Sequence, residues 1–215
     1  MALIGKKDQD ALRKRFSEMQ HKVKVILFEA ALDCVYCPQT KQILEEVAEL
    51  SDKIEVTFYN YHTAKEQVEK YHIDKIPAIV ILDENEKDYG IRFFGIPSGY
   101  EFATLIEDLI MVSTGETSLS QKTVDALKNL MKPVHLQVFV TPTWPYCPAA
   151  VRFAHMAAFV SDQVKGDMVE ASEFPELSDR FSVYGVPKTI INEIGEVEGA
   201  VPEQRFMDQI MQAIR

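Results

Sequence analysis

The strongest constraint on the fold of this 215-residue chain is an internal repeat. Tyr36-Cys37-Pro38 recurs 110 positions later as Tyr146-Cys147-Pro148, and Pro77 recurs at the same offset as Pro187. Thr189-Ile190-Ile191 lies over Ile79-Val80-Ile81, and the match reads as gapless from the first apolar run of each half to the third. Self-similarity at one offset means that each half repeats the same structural unit. The chain therefore reads as two tandem copies of one fold, residues 1–117 and 118–215. Apolar residues make up 47% of the sequence, enough for each copy to bury a core.

The pattern within each copy is α/β. Leu12, Phe16 and Met19 recur at helical spacing after Asp8, a candidate cap. Apolar runs at 23–30, 54–61, 78–82 and 90–94 read as strands. Helices are expected from the cysteine motif to about Leu50, over 64–71, and after a Ser98/Glu101 capping box, where Phe102, Leu105, Ile106 and Leu109 share a face. The polar stretch 113–117 reads as a linker. Beyond it Ser118 and Gln121 are expected to cap a helix bearing Val124, Leu127 and Met131, and 134–140 reads as the next buried strand. The last helix is expected to start at Pro202, with Phe206, Ile210 and Ala213 on one face. Strands alternating with helices imply layered α/β units.

The chemistry is concentrated in Cys34-Val35-Tyr36-Cys37-Pro38, at the join of a predicted strand and a predicted helix. Two cysteines so spaced form a dithiol able to close and reopen as a disulfide. A helix start offers unsatisfied N–H groups and partial positive charge, which favour a thiolate at Cys34. A free thiol has a pKa of about 8.5, and in such motifs it falls to about 3.5–7.5. Cys37, one turn on and less exposed, is placed to resolve a mixed disulfide by attacking Cys34. The blander alternative is half of a zinc site completed by Cys147 with His62 or His72, although the repeat separates Cys147 from the first pair. With three cysteines the chain is no secreted disulfide scaffold. A net charge of −10 weighs against nucleic acid or an anionic membrane as partner. No run approaches the ~18 apolar residues of a membrane span, and the first residues lack a signal-peptide pattern, so a cytoplasmic protein is expected.

Ile76-Pro77 stands 40 residues after Cys37 and just before a strand. With the dithiol at a strand-to-helix join, each half resembles a thioredoxin fold. Almost the whole chain is similar to the protein disulfide oxidoreductases, also called glutaredoxin-like proteins, of heat-loving prokaryotes. The resemblance implies an α/β protein of two tandem thioredoxin-like folds, each a central mixed β-sheet flanked by helices. It implies Cys34 as attacking and Cys37 as resolving cysteine, and Pro77 as a cis-proline facing the disulfide. Ile76, through its backbone, and Tyr36 are implied as binders of an extended substrate. Pro187, after Val186, resembles the second cis-proline. One position departs from the family pattern. Trp144 stands where the second unit's attacking cysteine is expected, so that unit cannot run a two-thiol cycle.

The resulting expectation is a dithiol–disulfide oxidoreductase acting on protein disulfides, with no organic cofactor and no metal. A second reading makes the chain an electron carrier from a flavin-dependent, thioredoxin reductase-like protein to a peroxiredoxin. A third makes it a chaperone-like or partner-binding module with a vestigial second site at Trp144, Cys147 and Pro187. Cys147 itself reads best as a buried small residue, and Trp144 as a partly exposed aromatic on a loop. Glu29, with Phe139 at its place in the second half, is a candidate proton shuttle. His21, His62, His72, His135 and His155 read as structural or solvated.

Overall fold

The apolar runs of the first half form β1 (Val23–Glu29), β2 (Ile54–Asn60) and β3 (Ala78–Asp83) in a computed structural model that describes residues 2–215. β1 lies at the centre, parallel to β2 (Val25↔Val56) and antiparallel to β3 (Val25↔Ile81). A parallel pair requires a crossover connection, and α2 (Cys37–Ala48) supplies it, burying Ile43, Leu44 and Val47. Val23, Leu27 and Phe28 of β1 are fully buried, as expected for a strand covered on both faces. β1 therefore delivers the chain at its C-terminal end into the cysteine loop, and β3 begins at the same end of the sheet, because Phe28 pairs with Ala78. The helices α1 (Lys6–Phe16) and α3 (Lys65–Lys70) precede β1 and β3 respectively; β4 (Asp88–Phe94) and α4 (Tyr100–Thr114) follow.

The second half repeats the plan. After α5 (Gln121–Lys128) come β5 (Val134–Val140), α6 (Cys147–Val160), β6 (Val164–Glu170), α7 (Pro175–Arg180), β7 (Lys188–Ile191), β8 (Gly195–Glu198) and α8 (Glu203–Ala213). β5 is parallel to β6 and antiparallel to β7, and β7 is antiparallel to β8. The crossover helix α6 presses closely on β6. A Cβ on Gly166 would stand 2.5 Å from the Ala154 carbonyl oxygen, so only glycine fits there. By packing, one compact unit holds the chain up to Asp88 with Phe94–Ile96 and Leu109–Glu116. The other holds Tyr89–Phe93, Pro97–Asp108 and Thr117–Arg215.

Several local expectations need correction. The repeat is not gapless. β2 and β6 are offset by 110 residues, but their partners are offset by 111, since Glu29 pairs with Asn60 and Val140 with Glu170. The first unit thus carries one extra residue between β1 and Cys34, and the loop takes it up at Asp33, whose φ is 65°. The structural counterpart of Glu29 is accordingly Val140, not Phe139. α1 is capped by Gly5, with Asp8 inside its first turn, and α5 by Ser120, whose side chain accepts from Thr123 N–H. Met131 lies beyond α5 and is exposed. The Ser98/Glu101 capping box does not form, because the Glu101 side chain turns inward to accept from Thr104.

Candidate functional site

Cys34 and Cys37 are joined in a disulfide, with Cα atoms 5.4 Å apart. Cys37 is the first residue of α2 and fully buried, whereas Cys34 lies in the preceding loop and is half-buried. The N-cap Tyr36 makes no side-chain capping bond, no acidic residue stands in the first turn, and Pro38 lacks an N–H. The positive end of α2 is therefore left to whatever anion forms beside it. Tyr36 O fixes the turn by accepting both Thr40 N–H (2.9 Å) and Thr40 Oγ1–H (2.8 Å). Leu32, Val35 and Tyr36 expose apolar surface around the disulfide.

The Ile76–Pro77 peptide is cis, with Ile76 half-buried and Pro77 buried just ahead of β3. Pro77 O accepts from Gly95 N–H at 2.9 Å, and Lys75 Nζ lies 3.8 Å from the centre of the Phe94 ring. β1 ends and β3 starts at this edge, so the topology brings the cysteine loop and the proline loop to one end of the sheet. Glu29 is ion-paired with Lys41 Nζ at 2.7 Å, and that ammonium also sits 4.5 Å over the Phe58 ring.

At the corresponding place in the second unit, Trp144 is 48% exposed and packs 6.1 Å from the ring of Tyr146, which is also exposed. Cys147 opens α6 and is fully buried. Burial first, and then the charge of Glu101, push its thiol up to about 11, while a backbone hydrogen bond from Thr141 pulls the other way. Val186–Pro187 is cis, and Pro187 is buried. Among the described residues no group of three or more His, Cys, Asp or Glu is arranged to hold a metal ion. No helix among them is long and apolar enough to cross a membrane.

Sequence reasoning missed a buried polar network in the second unit. His155, wholly buried on α6, places Nδ1 2.5 Å from Asp108 Oδ2 and Nε2 3.2 Å from Arg92 O. A carbonyl only accepts, so Nε2 donates, and Nδ1 and Oδ2 share a single proton whichever partner carries it. Burial raises the Asp108 carboxyl, partly offset by the imidazole. Glu101, nearby on α4, is pushed up to about 7, mainly by burial. The sequence signal was a histidine inside a helical stretch whose one other charged or polar side chain is Arg152.

Comparison with known proteins agrees with this architecture. Residues 10–110 match the model of a thioredoxin-like domain, and residues 134–212 that of a thioredoxin domain. A protein disulfide oxidoreductase from Aeropyrum pernix K1 superposes with a TM-score of 0.90 at 27% identity, over 98% of this chain and 93% of that one. The NTD_N/C domain of alkylhydroperoxide reductase AhpF from Enterococcus faecalis superposes at 0.88, also with 27% identity, over 98% and 99%. Among curated sequences, an alkyl hydroperoxide reductase component of Staphylococcus epidermidis is 27% identical over 72% of the chain, and an NADH dehydrogenase of Bacillus subtilis 25% over 70%. Both are longer proteins, of which the chain spans 27%. Two matched domain models in tandem and a near full-length likeness to a disulfide oxidoreductase agree with the closed Cys34–Cys37 bond. The chain thus carries two thioredoxin-like domains in tandem, the first with a closed Cys34–Cys37 disulfide.

Proposed function

We propose that the chain exchanges disulfides with protein substrates, with Cys34 attacking and Cys37 resolving. The Cys34 thiolate attacks one sulfur of the substrate disulfide, forming a mixed disulfide and releasing one substrate thiolate. Cys37 then loses its proton and attacks the Cys34 sulfur. The Cys34–Cys37 bond closes and the second substrate sulfur leaves reduced; run backwards, the same steps oxidise a dithiol. The observation that carries this reading is the closed bond between a half-buried Cys34 and a buried Cys37 at an uncapped helix start. Only the first sulfur is open to a substrate.

Ile76 and Pro77, at the same edge of the sheet, and the exposed Tyr36 are assigned to binding an extended substrate segment beside the bond. Trp144, Cys147 and Pro187 are assigned to a second site that lacks its attacking sulfur. The domain boundary is placed at 117/118; the change of packing unit after Glu116 supports it. The reaction is assigned to the reducing cytoplasm, where a dithiol is regenerated by other thiols. The test is reduction of insulin disulfides with dithiothreitol as donor. Cys34→Ser is expected to fall to the uncatalysed rate, and undiminished turnover in that variant would refute the assignment.

A second reading is favoured by the likeness to an alkyl hydroperoxide reductase component and to an NADH dehydrogenase. Here the chain carries electrons from a thioredoxin reductase-like flavoprotein to a peroxiredoxin, through the same two sulfurs. A coupled assay of peroxide consumption with such partners distinguishes it. Turnover there that greatly exceeds insulin reduction selects the carrier role.

A further inference from the structure

The loop that carries Cys34 holds a charge that exchange between the two sulfurs does not use. From Ala30 to Thr40 the one charged side chain is Asp33, next to Cys34 in the chain. The equivalent loop of the second unit, Thr141 to Tyr146, carries no charge. Asp33 is also where the first unit takes up its extra residue, since Glu29 pairs with Asn60 but Val140 with Glu170. Its φ of 65° lies in the left-handed region, which glycine reaches most easily and asparagine or aspartate next. Glycine would serve the conformation alone, so the carboxylate is an addition to what the turn requires.

That carboxylate is unmatched and close to the reacting sulfur. Asp33 is exposed, and it makes no hydrogen bond or ion pair among the described residues. The acids that precede the two loops of the site are matched, Glu29 by Lys41 Nζ at 2.7 Å and Asp74 by Lys75 Nζ at 2.6 Å. Consecutive Cα atoms are about 3.8 Å apart, so in any rotamer the Asp33 carboxylate stays within about 10 Å of the Cys34 sulfur, one Debye length at ~0.1 M salt. Leu32, Val35 and Tyr36 are 77%, 85% and 41% exposed around it, an apolar rim that supplies no countercharge.

We propose that Asp33 is a specificity-determining residue of the first site, whose carboxylate favours disulfides with lysine or arginine beside the cystine and disfavours those flanked by acids. The proposal rests on the reading of Cys34 as the attacking sulfur. The Cys34 thiolate and Asp33 are both negative, so a cation on the substrate is drawn by two charges and an anion is repelled by two. Removing the carboxylate leaves the chemistry in place. The reduced chain and a disulfide still yield the closed Cys34–Cys37 bond and two substrate thiols. Cys34 attacks and one substrate thiolate leaves; Cys37 then gives up its proton and closes the bond as the second thiolate leaves. What changes is the ranking of substrates, by about two- to fivefold for each charge brought within ~10 Å of an exposed carboxylate.

The test compares two small disulfides of equal reach, cystamine with an ammonium at each end and dithiodipropionate with a carboxylate at each end. The full chain, reduced with dithiothreitol and freed of it, is mixed with each at low salt and about pH 8, where these charges are fixed. Closure of the Cys34–Cys37 bond is followed by acid quenching and mass spectrometry. The ratio of the cystamine rate to the dithiodipropionate rate cancels any change in the thiolate fraction of Cys34, so it reads selectivity alone. In Asp33→Asn, which keeps a side chain suited to the left-handed backbone, that ratio is expected to fall roughly fivefold. Added salt should lower the native ratio more steeply than the variant's. Asp52→Asn, just ahead of β2 at the opposite end of the sheet, removes the same net charge and is expected to leave the ratio as it is. An unchanged ratio in Asp33→Asn, or an equal fall in Asp52→Asn, overturns the proposal while closure with both disulfides leaves Cys34 as the attacking sulfur. Closure with neither disulfide removes the reading of Cys34, and the proposal with it.

Discussion

Glu29 and Glu101 both stand near a helix that begins with cysteine, and the fold gives them opposite surroundings. Glu29 meets an ammonium at 2.7 Å, whereas Glu101 is buried with a single hydroxyl donor. The Glu101 carboxyl, held at about 7 against an ordinary 4.5, keeps a proton in the folded state that the unfolded chain releases. Its contribution to stability is therefore complete below about pH 4.5 and is lost as pH rises through about 7, a change of ~3 kcal/mol. Urea unfolding near pH 5 and pH 8 should show that loss in the native chain and not in Glu101→Gln; equal slopes contradict it. The sequence made Cys34 and Cys37 legible because their chemistry is local, two sulfurs one turn apart. Glu101 was misread because Ser-x-x-Glu also satisfies a local capping rule, while its burial depends on residues some forty positions away. His155 was read as structural or solvated; it is buried and bonded to Asp108, a partner that was not visible in sequence.

Among the elements, the crossover helix carries the geometry of each site, since its first residue is the buried cysteine. In the second unit α6 approaches β6 so closely that Gly166→Ala would push the Ala154 carbonyl away. The expected cost is about 1–3 kcal/mol of overpacking, read from denaturant midpoints, and unchanged stability would show that α6 is free to shift. The order of strands and helices was legible from apolar runs. The one-residue difference before Cys34 was not. β1 and β5 are buried at nearly every position, and the alternation that opens β5 (Val134-His135-Leu136-Gln137-Val138) stops in β1 after Val23-Lys24-Val25, so the polar pattern did not betray a slip of one position. Only the pairing of Glu29 with Asn60 and of Val140 with Glu170 reveals it.

For the whole molecule the repeat revealed two units, and the difference in thiol chemistry between their sites lies in one atom type, sulfur at Cys34 against indole carbon at Trp144. Where the packing changes from one unit to the other was less legible. A polar stretch marks a linker by composition, whereas Tyr89–Phe93 and Pro97–Asp108 pack with the second unit through apolar residues that composition cannot allocate. The three cysteines should behave as one reversible pair and one spectator. In a glutathione redox titration, two of the three thiols are expected to disappear in a single transition, with Cys147 still free at the oxidising end. Glutathione bound to Cys147 would contradict this. The sharpest single measurement is mass spectrometry of the Cys37→Ser chain, quenched in acid after incubation with a disulfide-bonded protein. A reducible adduct on Cys34 is predicted, one that vanishes when Cys34→Ser is added. An adduct on Cys147 instead, or none at all while Cys34→Ser still turns over, would contradict attack by Cys34.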